Sequence, residues 1–448
     1  VRVLALIDGE HYPPVVAGAL AALSAEHEVA AAVFAGGTEK VGTAGADGSY
    51  GVAVVHGASA EAALRSAIAR YLPDAVVDLS DEPVVSSEDR FRLASIALSL
   101  GVEYRGADFR FVPPSSALVM CTPALAIVGT GKRVGKTAVS AHVARTLTAA
   151  GMQVAVLAMG RGGPERPELI RGDQVALTTA DLLALARTGV HAASDNYEDA
   201  VMARVATVGC RRCGGGMAGS VFFSNVPEGA RLADGLGMDL VVLEGSGAAV
   251  PPVASDASLL VVGAAQGPAY VTGYFGPLRV AGADVVIVAG AEEPLVSASQ
   301  VASVVAAVQA LRPGIPVLPV TFRPRPIEPV HGARVFFATT APAALLPSLI
   351  DHLQDVHGCT VTAATTHLSD RAKLRADLAE AAGGYDTIVT ELKAAAVDVV
   401  AEAGDAAGVR VVLADNVPTA TGDVELEPHL RDLAALAAER RKGDRDGA

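Results

Sequence analysis

Cysteine is scarce. Cys121, Cys210, Cys213 and Cys359 are the only four in 448 residues, too few and too scattered for the disulfide framework of a small secreted domain. Basic residues are also outnumbered, 35 against 49 acidic, which leaves a formal net charge of −14. General nucleic-acid binding needs a basic face, so that class of partner is excluded. No uninterrupted apolar run reaches the ~18 residues of a membrane-spanning helix, and no membrane association is expected. The opening Val1–Asp8 enters a strand pattern directly, without the cleavage region of a signal peptide, so a cytoplasmic location is the expectation. There is no internal repeat. What is plentiful is alanine, which inflates the hydrophobic fraction of 51%, and short Val/Ile/Leu runs that read as buried strands.

These runs divide the chain into three α/β units. Residues 1–120 form the first, a Rossmann-like domain with strands at Val3–Ile7, Val29–Phe34 and Ala75–Leu79. Pro113-Pro-Ser-Ser116 reads as the linker after it. Residues 122–326 form a second unit in which six apolar strands alternate with helical segments, the pattern of a largely parallel sheet. Arg323-Pro-Arg-Pro326 reads as its exit linker. A small third α/β unit occupies 327–436, and the charged end 437–448 reads as a frayed tail.

The most informative segment is Gly129-Thr-Gly-Lys-Arg-Val-Gly-Lys-Thr137, directly after the apolar run Ala124–Val128 and before a small-residue helix from Ala138. A strand, a glycine-rich loop and a helix start gather backbone N–H groups around a phosphate. The nucleotide cradle is therefore Gly129, Thr130, Gly131, Val134, Gly135, Lys136, Thr137 and Ala138, with Lys136 aimed at the β- and γ-phosphates and the Thr137 hydroxyl at Mg²⁺. The first glycine stands one position earlier than in the usual pattern, with Thr130 in its place. Lys132 and Arg133 lie inside the loop. Two extra cations there offset repulsion between the triphosphate and a second, multiply charged anionic substrate.

Other segments carry further chemistry. Leu240–Glu244 is a buried strand ending in a carboxylate, placed to complete a metal shell or to cap the next turn. Met159-Gly-Arg161-Gly-Gly163 offers a planar guanidinium beside glycines that let an anion approach. Asp195, Glu198 and Asp199 open a helical stretch; capping explains one acid, and a metal or acceptor role is open to the others. Arg211 and Arg212 sit in a glycine-rich loop between Cys210 and Cys213, where they suit a polyanion better than the cysteines suit a metal. Asp8, Glu10 and His11, at the exit of the first strand, are candidates for an inter-domain contribution to substrate binding. Asp415-Asn416, at a late strand end, is a candidate for the adenine.

The loop 129–137 and Glu244-Gly-Ser-Gly247 resemble those of dethiobiotin synthetase. Together with Ile7–Pro14, Phe34–Lys40, Met159–Gly163, Asp195–Asp199, Cys210–Gly216 and Phe336–Pro342, they resemble the cyclic 2,3-diphosphoglycerate synthetase family over nearly the full chain. The resemblance implies a homodimer that uses ATP and Mg²⁺ to close 2,3-bisphosphoglycerate into its cyclic pyrophosphate, and it suggests a K⁺ requirement. Lys132, Arg133, Lys136 and Glu244 would then be catalytic. Arg161, Arg211, Arg212, Asp8, Glu10 and His11 would hold the substrate, and Thr137, Glu244, Asp195, Glu198 and Asp199 the metal. Two other readings stay open: a kinase or ligase of the same fold acting on another small anion, such as a 2-phosphoglycerate kinase, and a regulatory ATPase switch.

Overall fold

The computed structural model describes residues 1–40, 50–422 and 424–446. The N-terminal sheet contains β1 (Arg2–Ile7), β2 (Glu28–Phe34), β3 (Val54–Val55), β4 (Ala75–Asp78), β5 (Glu103–Arg105) and β6 (Arg110–Phe111). Among the described residues its order is β3-β2-β1-β4-β5-β6, parallel except for the last pair. The coil at 113–116 then leads out of this unit.

A second sheet holds the rest of the chain. Its strands are β7 (Ala124–Gly129), β8 (Val154–Gly160), β9 (Glu168–Arg171), β10 (Ala206–Gly215), β11 (Val221–Ser224), β12 (Leu240–Glu244) and β13 (Ala257–Gly263). They continue with β14 (Val285–Ala289), β15 (Val317–Pro326), β16 (Arg334–Ala338), β17 (Thr360–Thr365), β18 (Thr387–Glu391) and β19 (Arg410–Ala420). The order is β11-β10-β8-β12-β7-β13-β14-β15-β19-β18-β16-β17, with β9 alongside β10. From β10 to β15 all neighbours are parallel.

The apolar run of β7 is continuous because both of its faces are covered. Leu125 and Ile127 face the helices Lys136–Ala149 and Leu426–Asp446, while Ala124, Ala126 and Val128 face the layer containing Val226, Val304 and Val308. The N-terminal unit docks through Phe275 and Ala218, which are buried in its core beside Leu93 and Tyr104.

Three sequence expectations need correction. Arg323–Pro326 is no linker: it is the second half of β15 and pairs antiparallel with Ala414–Val417 of β19. The third unit therefore extends the same sheet. Prolines are tolerated here because β14 pairs only with Val317–Val320, so the far side of 323–326 carries no ladder. The glycine-rich stretch around Arg211 and Arg212 is not a loop but the rising arm of a hairpin, β10 paired with β11. Nor does the chain fray from residue 437. The last helix continues to Asp446; Ala437 is fully buried, and the guanidinium of Arg441, 5% exposed, holds Asp256 at 2.9 and 3.1 Å. Charge alone suggested a solvated end, but these arginines have buried carboxylates waiting for them. Residues 447 and 448 of that expected tail lie outside the described residues.

Asp256 Oδ2 also accepts the amide of Ala124 at the start of β7, so the C-terminal helix supports the root of the phosphate-loop strand. Arg441→Leu leaves this buried carboxylate without its cation and is expected to destabilise the chain by about 3–5 kcal/mol. Urea unfolding checks this; a loss under 1 kcal/mol would mean the contact is superficial.

Candidate active site

The loop after β7 is built as its sequence suggests. Gly135 precedes the helix Lys136–Ala149 with φ +93°, and a side chain there would run into the Phe322 ring at 2.3 Å. Only glycine meets both demands. Val134 and Ala138 are buried and anchor the loop from below. Lys132 and Arg133 stand exposed at its crest. Lys136 is buried, and its ammonium donates to the Gly131 carbonyl at 2.8 Å.

Thr130 departs from the expected cradle. Its amide donates to the Val261 carbonyl at 3.0 Å and its hydroxyl to Gln266 Oε1. Both groups are engaged in shaping the loop, so Thr130 supports the cradle rather than lining it. Gln266 Oε1 also accepts the amide of Gly263, and its Nε2 approaches Gly131 closely. Gln266 was not anticipated. Its only sequence signal is its place after an apolar strand, in Gly263-Ala-Ala-Gln-Gly267.

Beside the loop lies a set of buried acids. Thr137 Oγ1 donates to Glu244 Oε1 at 2.6 Å. Among the described residues Glu244 Oε2 and both oxygens of Asp199 lack a donor. Burial raises the Glu244 carboxyl above its ordinary range, with Asp195 adding repulsion. Burial also raises Asp199, and the neighbouring Glu244 raises it further. Two donor-free carboxylates beside a hydroxyl suit a divalent cation. No group of three or more His, Cys, Asp or Glu side chains stands ready as a cage among the described residues; a cation here would need further oxygens from a ligand. Glu198 is engaged elsewhere: its Oε1 lies 3.0 Å from the ammonium of Lys393.

Across from these acids two guanidiniums meet over one glycine. A Cβ on Gly247, whose φ is +63°, would stand 2.6 Å from Arg161 Nη2 and 3.2 Å from Arg212 Nη2. Arg212 donates to the Ser246 carbonyl at 2.7 Å. Lys136 belongs to the same field: burial lowers its pKa, Glu244 and Asp195 oppose that, and Arg161 and Arg212 reinforce it. Among the described residues none of Lys132, Arg133, Lys136, Arg161, Arg211 or Arg212 is paired with a carboxylate within 4.0 Å. In a chain of net charge −14, the unpaired Lys136, Arg161 and Arg212, each within electrostatic reach of the others, suit an anion.

The remaining expected residues lie elsewhere. Arg211 neighbours Arg212 on β10, so their side chains leave opposite faces of the strand; Arg211 lies over the Phe223 ring, 5.8 Å from its centroid. Alternation likewise separates buried Cys210 from exposed Cys213, and both are free thiols. Asp8 is fully buried and accepts the amides of Glu10, His11 and Asp81 as well as His11 Nδ1. It ties the β1 exit to the β4 exit within the N-terminal unit. No hydrogen bond or ion pair joins Asp8, Glu10 or His11 to the phosphate loop among the described residues. Asp415 is buried between Arg145 at 2.7 Å and Arg325 at 3.3 Å, so its carboxylate is engaged in ion pairs.

Comparison with known proteins agrees with this architecture. Family models described as the P-loop, N-terminal and C-terminal domains of cyclic 2,3-diphosphoglycerate synthetase match residues 124–321, 2–112 and 326–417. The chain belongs to the cyclic 2,3-diphosphoglycerate synthetase family. It is 49% identical over 446 residues to the cyclic 2,3-diphosphoglycerate synthetase of Rubrobacter xylanophilus, covering 99% of both chains. It is 44% identical over 426 residues to the one from Methanothermus fervidus, covering 93% of each. With that of Thermococcus kodakarensis it shares 45% over 437 residues, covering 97% of this chain and 99% of the relative. A phosphate-loop domain and membership of this synthetase family mark the chain as a nucleotide-using enzyme.

Gln266 supports the nucleotide loop from outside it. Gln266→Ala removes the acceptor of Thr130 and is expected to weaken ATP binding about tenfold, the equivalent of ~1.4 kcal/mol. Isothermal titration checks this, and an unchanged affinity would contradict the supporting role.

Proposed function

We propose that the chain closes 2,3-bisphosphoglycerate into cyclic 2,3-diphosphoglycerate at the expense of ATP, releasing ADP and phosphate. The observation that carries this reading is the meeting of Arg161 and Arg212 over Gly247, within electrostatic reach of Lys136, none of the three paired with a carboxylate among the described residues. Such a concentration of charge fits a substrate with two phosphates and a carboxylate brought against a triphosphate. A neutral acceptor would make no use of it.

In this reading the amides of the loop 129–137 and the Lys136 ammonium hold the β- and γ-phosphates. Arg161 and Arg212 bind the acceptor with planar, fork-like donors, and Lys132 and Arg133 add positive charge at the mouth. One acceptor phosphate oxygen attacks the γ-phosphorus in line, and the bond to the β-phosphate oxygen breaks to release ADP. The neighbouring phosphate of the same molecule then attacks the activated phosphorus. A P–O–P ring bond forms and inorganic phosphate leaves with the bridging electron pair. This second step is intramolecular, so correct orientation can contribute much of the ~7–11 kcal/mol available to such reactions. Phosphate oxygens are already anionic nucleophiles at neutral pH, and no general base is required. Thr137, Glu244 and Asp199 are the residues that would hold Mg²⁺, which when bound supplies charge neutralisation at the phosphates.

Incubation of the protein with ATP, Mg²⁺ and 2,3-bisphosphoglycerate is expected to produce a cyclic diphosphate signal in ³¹P NMR, with one equivalent each of ADP and phosphate. ATP consumption that leaves a linear phosphorylated product would instead indicate a kinase. Lys136→Ala is expected to abolish turnover with the fold retained. Gly247→Ala, which pushes both guanidiniums aside, is expected to raise KM for the bisphosphate at least tenfold while changing KM for ATP less than threefold. Equal changes in both constants would remove Arg161 and Arg212 from the acceptor site.

A further inference from the structure

The mechanism leaves one inter-domain ion pair unexplained. Lys393 belongs to the C-terminal unit, immediately beyond β18, yet its ammonium lies 3.0 Å from Glu198 Oε1 on the acidic helix Asp195–Ala203 of the P-loop domain. Glu198 is only 7% exposed. Lys393 itself is half-buried, and an ion pair with one partner buried and the other partly in water gives little net stability, so its presence calls for another reason.

The segment carrying Lys393 is irregular in two further ways. Ala394 has φ +50°, a left-handed conformation that a non-glycine residue adopts only when its surroundings force it. Ala396–Ala401 forms a π-helical turn, a rare geometry that is frequent at functional sites. The flanking Leu392, Val397 and Ala401 are all buried in the core of the P-loop domain, together with Leu125 and Val139. The C-terminal unit is thus threaded into its neighbour at this point, and the distorted turn presents the lysine.

Asp195 lies one helical turn before Glu198, on the same face. It is close enough to act electrostatically on Lys136, Glu244 and Lys393 alike. Lys393 is thus tied by contact to the helical turn that carries Asp195.

We propose that Lys393 is a positioning residue for phosphoryl transfer, fixing the Asp195–Glu198 turn against Lys136 and Glu244. The C-terminal unit in this way completes the reaction centre without touching the substrate. The inference rests on the phosphoryl-transfer reading given above.

The test compares the full-length parent with Lys393→Met, with the Lys393→Met/Glu198→Gln double variant and with Glu198→Asp. ATP turnover and cyclic product are followed separately, alongside thermal unfolding. Lys393→Met is expected to lower kcat at least tenfold while KM for ATP changes less than threefold. The double variant replaces the ion pair by two neutral groups; it is expected to regain the parent's Tm but not its kcat. Glu198→Asp keeps both charges and draws the carboxylate back by one methylene, so it remains informative if the methionine variants do not fold. Its kcat is expected to fall at least threefold at unchanged Tm. A parent-like kcat in the double variant or in Glu198→Asp would reduce the pair to a structural contact and overturn the proposal. Parental ATP turnover without cyclic product would refute the assigned acceptor and leave the Lys393 comparison standing. No ATP turnover in the parent would contradict both.

Discussion

Electrostatic repulsion is the constraint on which this architecture turns. Lys136 at a helix start, Arg161 just past β8 and Arg212 within β10 are held near one another, and none has a carboxylate within ion-pairing distance among the described residues. Such an arrangement is unstable in isolation and becomes favourable when polyanions occupy it. The protein offsets the strain with backbone carbonyls: Gly131 accepts from Lys136, and Ser246 accepts from Arg212. On the other side Glu244 and Asp199 crowd each other in the same manner with opposite sign. Two like-charged clusters facing each other define where a triphosphate, a cation and an anionic acceptor can meet.

Holding like charges together demands a stiff frame, and the long central sheet provides it. β7, β8 and β12 are adjacent and parallel, so the phosphate loop, Arg161 and Glu244 emerge at the same edge, where ligands of open α/β sheets bind. The supports come from far along the chain. Arg441 steadies Asp256 and with it the start of β7; Gln266 shapes the loop's first turn; Lys393 reaches the acidic helix from the C-terminal unit. The antiparallel β15–β19 pairing makes this reach possible, because it fuses the C-terminal unit to the catalytic sheet.

The fold was legible wherever its signal was local. Apolar runs such as Ala124–Val128 and Leu240–Leu243 announce buried strands, and the glycine spacing of 129–137 announces a turn into a helix. Arg161 and Glu244 could be placed because they directly follow such strands. Arg211 was misjudged because glycines at 214–216 suggested a loop, whereas hairpin pairing makes the stretch extended and sends adjacent arginines to opposite faces. Pro324 and Pro326 suggested a linker for a similar reason, since sequence cannot reveal that one side of a strand is unpaired. The C-terminal arginines and Lys393 were illegible because their partners, Asp256, Asp284 and Glu198, lie 156 to 195 positions away. Asp8 resembled a ligand-binding acid, but its oxygens are engaged by the backbone turns it ties together.

The account stands or falls on whether the three cations bring the triphosphate and the acceptor together at the γ-phosphate. The most direct measurement is a crystal structure with a non-hydrolysable ATP analogue, Mg²⁺ and 2,3-bisphosphoglycerate bound together. The expected result has Lys136 on the β- and γ-phosphates and both Arg161 and Arg212 on the bisphosphate, with an acceptor phosphate oxygen in line with the γ-phosphorus. A complex in which Arg161 and Arg212 contact neither ligand, or bind it away from the γ-phosphate, would contradict the proposed reaction.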